Sequence, residues 1–405
     1  MSDFQIKLDR LAELAVRFGV NVQPDQEVVL TAPIEAVELV RNITRRAYQA
    51  GAKSVVPVYA DEAMEMARFE KGPDAAFDHA PAWLYNGMAE ACENGAARLA
   101  LYGSTPSLLA QQDPDKVGRA NKARSVAYQP FSKIISENRI NWNIIPFVTE
   151  GWAKDVFPDL PADEAVAKLW EHVFAVTRAD QPDPVAAWEE NFAELRRRMK
   201  VMQGHGFDAL HFSGGGTDLT LGLAKGHVWV GANLTPKNGA VCAPNIPTEE
   251  IFTMPDRNRA EGRAVFTKPA VVAGSLVEGL VVEFKGGKAV SVKADKGQTV
   301  MEKYLDTDEG ARHLGEVALV SNSSPVSKSG VLFMNTLLDE NAACHIAFGR
   351  AYEANLEAGA DKEAAGMNDS LIHHDTMIGS GQLDVDGVAH GGERIAVMRD
   401  GEFVI

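Results

Sequence analysis

Three consecutive residues that could do chemistry, His373, His374 and Asp375, stand in the stretch NDSLIHHDTMIGSG (368–381). Leu371 and Ile372 precede them, and Met377 and Ile378 follow. That pattern predicts a short, mostly buried strand closed by the turn from Gly379 to Gly381. On a strand, residues two apart share a face, so His373 and Asp375 point one way and His374 the other. An imidazole beside a carboxylate on a rigid element is a ready pair of metal ligands. The plain alternative is a His–Asp hydrogen bond at a turn.

Three stretches upstream supply matching side chains. PTEEIFT (247–253) sets Glu249 and Glu250 beside an apolar pair, and strand alternation would carry one of them inward. In HLGEVALV (313–320), Glu316 opens an apolar strand, and Gly315 lets another backbone or a ligand come close. A carboxylate there is costly unless paired or bound to a cation. LLDENAACHIAFGRAY (337–352) reads as a helix from Asn341 onward. Glu340 would lie near its N-terminal end, with His345 and Tyr352 two turns apart on one face; a satisfied core histidine is the alternative there. Glu250, Glu316, Glu340, His345, His373 and Asp375 together suit a pair of divalent ions such as Zn²⁺, Co²⁺, Mn²⁺ or Mg²⁺.

The elements that must position these residues fall into two textures. The first half alternates: a helix from Phe4 stopped at Gly19, a strand at 27–31, a helix to Ala50, and a strand at 54–59 whose Pro57 suggests an edge or a strand start. Helices near 61–70, 81–94 and 115–138 and strands at 98–102 and 143–147 continue it. This predicts βαβ units and a parallel sheet, an α/β layer domain over residues 1–204. Asp180–Pro184 (DQPDP) is the strongest linker signal. After Gly206, short strand-like runs dominate, with KGGK (285–288) as a hairpin turn and one helical insertion near 296–312. The expected fold is therefore α/β plus mixed α+β: an N-terminal α/β layer domain, and a β-rich C-terminal metal-binding domain over residues 205–405.

Other chemistries are disfavoured. The turn after the first strand, Ala32-Pro33-Ile34-Glu35, lacks the glycines of a dinucleotide fingerprint and carries an acid where phosphate would sit. Gly214-Gly215-Gly216-Thr217 is followed by strand-like DLTLGL and lacks the Gly-Lys-Ser/Thr ending of a phosphate loop. A glycine-rich hairpin is the better reading. The 405 residues carry 40 basic and 56 acidic side chains, a net charge of −16, which argues against nucleic acid or anionic membrane as partners. Cys92, Cys242 and Cys344 are far apart and odd in number, which fits a reducing cytoplasm. The N-terminus has no signal-peptide pattern, and no run reaches the roughly 18 apolar residues of a membrane span.

PTEEIFT, LGEVALV, LLDENAACHIAFGRAY and HHDTMIGS resemble, in order and spacing, the motifs of the M29 family of metallo-aminopeptidases. The resemblance covers essentially the whole chain and is specific in its C-terminal half. It implies a dinuclear centre with ligands at Glu250, Glu316, His345, His373 and Asp375, a further carboxylate at Glu340 able to ligate or act as base, and a tyrosine at Tyr352. The family's His-x-Asp spacing selects His373, as strand alternation does. His374 and Thr376 stand where apolar residues are expected. The implied activity is removal of N-terminal residues from peptides with broad tolerance, by a two-domain homodimer. Its implied chemistry is hydrolysis by water acidified between two cations, with Glu340 as general base and Tyr352 donating to the oxyanion. Another dinuclear metallohydrolase, an amidase or dipeptidase, would use the same ligands, and a non-catalytic metal-stabilised scaffold is the reading from a different class.

Overall fold

Strand β1 (Glu27–Pro33) buries Val28, Val29 and Leu30 in succession, as a strand covered on both faces must. It pairs in parallel with β2 (Ser54–Ala60) and β3 (Ala97–Tyr102), and β3 pairs in parallel with β4 (Trp142–Pro146). The sheet order is β2-β1-β3-β4, which puts the proline-bearing β2 at an edge, where a missing N–H does least harm. The connections include the expected helices, at Val37–Gln49, Ala82–Glu93 and Pro114–Ser136. The computed structural model describes residues 2–272 and 275–405.

By its contacts the chain forms two compact units: residues 1–189 with 233–247, and residues 190–232 with 248–405. The first holds the parallel sheet. The segment DQPDP is a tight connection inside it, between the helices Ala162–Val176 and Pro184–His205.

The second unit is β-rich and antiparallel. Its strands are β5 (Ala209–Gly214), β6 (Thr217–Leu223), β7 (Val230–Gly231), β8 (Glu250–Thr253), β9 (Pro255–Val265), β10 (Ala270–Val272), β11 (Ser275–Val277), β12 (Val281–Lys285), β13 (Lys288–Lys293), β14 (Leu314–Val320), β15 (His345–Gly349), β16 (His373–Met377), β17 (Asp384–Val388), β18 (Arg394–Arg399) and β19 (Glu402–Phe403). Eight of them form a sheet in the order β13-β12-β9-β6-β5-β17-β18-β19, β10 pairs with β11, and five form a smaller sheet, β16-β15-β14-β8-β7. The glycine run 214–216 closes the β5–β6 hairpin and Gly286–Gly287 closes β12–β13, both at positive φ. Phe348 joins the two sheets, its ring centroid 5.9 Å from Phe284 of β12 and 6.2 Å from Phe266. The molecule is thus a mixed α/β fold with one parallel and several antiparallel sheets.

One element differs from expectation. The stretch after Asn341 is a single turn (Glu340–Ala342) followed by strand β15, not a helix. An apolar run of small residues has no polar positions to reveal its period. Lying between β14 and β16, it is buried at every residue. His345 and Tyr352 therefore do not share a helix face.

Candidate metal centre

The five-stranded sheet explains how acids and histidines so far apart in sequence meet. Residues directly opposite on paired strands share a face. Glu316 stands across from Ala347, and Ala347 from Asp375; His345 stands across from Ala318 and Met377, and His373 from Gly349. Glu250 stands across from Val320. By alternation 316, 318 and 320 share one face of β14, so Glu250, Glu316, His345, His373 and Asp375 all rise from the same face. Between them lie Ala318, Ala347 and Gly349, whose small size leaves room above the sheet. The opposite face carries Val317, Leu319, Ile346 and Phe348, all fully buried.

Gly315 sets the register. Pairing between β14 and β15 slips by one residue between Leu314 and Glu316, and a bulge re-aims the side chain that follows it. A Cβ at Gly315 would collide with the carbonyl oxygens of Gly349 and Arg350. Glycine is required there by the closeness of that backbone.

Glu316 occupies the centre. Its Oε1 lies 3.6 Å from His345 Nε2 and its Oε2 3.8 Å from His373 Nε2. Glu250 Oε2 is 3.2 Å from His345 Nε2, and Asp375 Oδ1 is 3.4 Å from His373 Nε2. Two groups result, Glu250–Glu316–His345 and Glu316–His373–Asp375, with the ligand atoms of each within 4.8 Å of one another. Each imidazole is turned by its other nitrogen. His345 Nδ1 lies 3.1 Å from the Ala343 carbonyl and His373 Nδ1 2.7 Å from the Arg350 carbonyl. A carbonyl only accepts, so Nδ1–H donates in both rings and Nε2 is left facing the carboxylates, as in metal-bound histidines.

Burial drives Glu316 up to about 7, and the charges of Asp375 and Glu250 push the same way against His345. Burial and then the neighbouring Glu250 and Asp375 hold Glu340 well above the usual carboxylate range. Burial works against the charged forms of the histidines, but Glu250 and Glu316 keep His345 well above an ordinary imidazole, and Asp375 raises His373 to about 9. Asp375, though buried, is brought down to about 2 by His373. Glu250 Oε2 and Asp375 Oδ1 are buried without a hydrogen-bond partner, which native structures rarely leave unanswered. Orphaned carboxylate oxygens and two imidazole nitrogens aimed at a shared carboxylate form a donor set that fits divalent metal ions.

Of the other expected residues, Glu340 lies on the turn beside this face but in neither ligand group. Asn341 ties that turn to β8: its Oδ1 accepts the Glu249 N–H at 2.6 Å, and its Nδ2 donates to Leu337 at 3.0 Å. Tyr352, 45% exposed, rests its ring 4.6 Å from that of His373. His374 points away, its ring 5.5 Å from Tyr304. Sequence reasoning missed Asn341 and the two orienting carbonyls, since backbone acceptors leave no mark in residue type. It also passed over Ala347 and Gly349, small residues of HIAFG whose letters fit a helix as well as a strand.

Residues 4–403 match the family described as thermophilic metalloprotease (M29). The chain is 50% identical to aminopeptidase T of Thermus thermophilus over the full length of both. It is 42% identical to aminopeptidase 2 of Geobacillus stearothermophilus, covering all of this chain and 99% of that one. The solved structure of wild-type AmpT from Thermus thermophilus superposes with a TM-score of 0.95 at 49% identity, over 99% of this chain and all of that one. A match across both units, on a chain whose buried acids and histidines gather on one sheet face, is decisive: this protein belongs to the M29 family of metalloproteases.

Proposed function

We propose that the protein is an aminopeptidase that uses two divalent cations, Zn²⁺, Co²⁺, Mn²⁺ or Mg²⁺, to release N-terminal residues from peptides with a free α-amine. The observation that carries the count of two is Glu316, whose two oxygens face two different histidines, each with its own second carboxylate. Glu250 and His345 would hold one ion and His373 and Asp375 the other, with Glu316 common to both. When bound, the cations supply Lewis acidity toward the scissile carbonyl and lower the pKa of water. Glu340 takes a proton from the attacking water and passes it to the leaving amine. Tyr352, beside His373, donates its hydroxyl hydrogen to the oxyanion. All these residues lie within 205–405, the half to which we assign the catalytic domain.

The reading extends to a cytoplasmic homodimer. Three free, buried cysteines support a reducing compartment; among the described residues no helix is long and apolar enough to cross a membrane. Sedimentation equilibrium tests the dimer. The activity is tested by stripping metal, adding each cation back singly and assaying free and N-acetylated peptides. Recovery on free peptides alone is the expected result. Cleavage of the acetylated peptides would favour an amidase, and no turnover with metal bound would leave only a structural centre.

A further inference from the structure

Strand β16 carries two of the candidate ligands and is also the end strand of its sheet. Its inner side is fixed by register: Ile346 pairs with Thr376 and Phe348 with His374, while Arg350 N–H donates to the Ile372 carbonyl and Ile378 N–H to that of Cys344. The backbone groups facing β15 are therefore those of 372, 374, 376 and 378. By alternation, the N–H and C=O groups of His373, Asp375 and Met377 point to the outer side. That side is closed at Met377, whose carbonyl accepts from Thr267 N–H at 2.9 Å. Pro269 lies two residues beyond and has no N–H to continue the pairing. Among the described residues, no backbone partner meets His373 or Asp375 on this edge. The strand is part-exposed there, and the edge runs out past Leu371, which is 78% exposed.

We propose that this edge is the subsite for the peptide substrate's backbone beyond the scissile bond, the substrate adding as one more strand beside β16. The inference rests on the aminopeptidase reading and deepens it. The same two residues offer side chains to the candidate metal groups and backbone to the edge, so a strand laid there is registered against the reacting centre. Its direction follows from which end is closed. The substrate's N-terminus lies toward Asp375 and Met377, its chain leaves past His373 and Leu371, and the pairing is antiparallel. In such a ladder only alternate substrate residues bond to β16, opposite Asp375 and opposite His373. Broad side-chain tolerance follows, because the contacts are made to atoms every peptide has.

The test uses the metal-loaded enzyme and three pentaalanine amides: the parent, one N-methylated at its third residue, and one at its fourth. Alanine 4-nitroanilide, which has no backbone beyond the scissile bond, is the control. The initial rate of release of the first residue is measured. One methylated peptide should lose about tenfold or more in kcat/KM, the worth of one lost hydrogen bond and the clash that replaces it, and the other should stay within about threefold of the parent. Equal loss at both positions, or loss at neither, overturns the edge subsite. Failure of the parent and the anilide alike would overturn the aminopeptidase reading itself, a separate outcome.

Discussion

A buried imidazole becomes a metal ligand or a mere core residue according to what its second nitrogen does. His373 gives Nδ1–H to the Arg350 carbonyl and turns Nε2 toward Glu316 and Asp375. His374, its neighbour, packs on Tyr304 with Nε2 buried and unbonded. His373→Ala should therefore lose bound metal and turnover together. His374→Ala should keep its metal and cost at most about 1–3 kcal/mol of stability. Metal per chain and kcat for both variants decide the matter, and the reverse pattern would place the ligand one residue on. The same side chains predict how binding depends on pH. In the metal-free protein Glu316 and His373 hold protons up to about 7 and about 9, both above their ordinary values. Ligation requires the deprotonated forms, so affinity should climb as pH rises through this window and fall below it, with protons released on binding. Calorimetry in buffers of different ionisation enthalpy counts them; binding without proton release would contradict the assignment. The thiols have no part in this chemistry. Burial lifts Cys344 and Cys242 each to about 11, too high for a thiolate nucleophile, so Cys242→Ser and Cys344→Ser should retain most activity in a peptide assay.

At the scale of elements, β14, β15 and β16 act as one device, with the candidate ligands on one face, packing on the other, and small residues leaving space between those side chains. Ala347 lies between Glu316 and Asp375. Ala347→Leu should abolish metal binding while the far-UV spectrum stays native. Ile346→Ala, on the opposite face, should cost roughly 2–5 kcal/mol in denaturant unfolding and still bind metal. Equal metal loss in both would mean that the faces are not independent. Much of this device was legible beforehand. The alternation of His373 and Asp375 was readable because polar residues interrupt an apolar strand, and Gly315 because glycine beside a buried acid marks a close approach. Strand β15 was not readable: its residues are apolar on one face and small or imidazole-bearing on the other, so helix and strand fit the letters equally. The pairing that brings Glu250 to Glu316 lay beyond reach as well, since antiparallel register is set by contacts remote in sequence.

For the whole molecule, the proposed metal centre would be a cross-link as well as a reaction site. Its candidate ligands come from four strands of the second unit, β8, β14, β15 and β16. Cations bound only by the folded state stabilise it, by roughly 2.7 kcal/mol at a concentration 100 times the dissociation constant. Exhaustive chelation should lower the unfolding midpoint measured by calorimetry, and restored metal should return it; an unchanged midpoint would show that the ligands come together only weakly. The first unit has a different dependence. Its parallel sheet does not end at β4: Ile144 N–H donates to the Pro244 carbonyl at 2.7 Å, Ile246 N–H donates back to Ile144 at 3.1 Å, and Asn143 Nδ2 reaches the Ala243 carbonyl at 2.7 Å. The segment 233–247 thus returns to the first unit after the chain has entered the second. On the ribosome, the N-terminal unit must wait with β4 unpaired on that side until Ile246 has emerged, by which time β5 and β6 are already made. The two units mature concurrently, and a nascent chain halted before residue 243 carries an open sheet edge for a chaperone to shield.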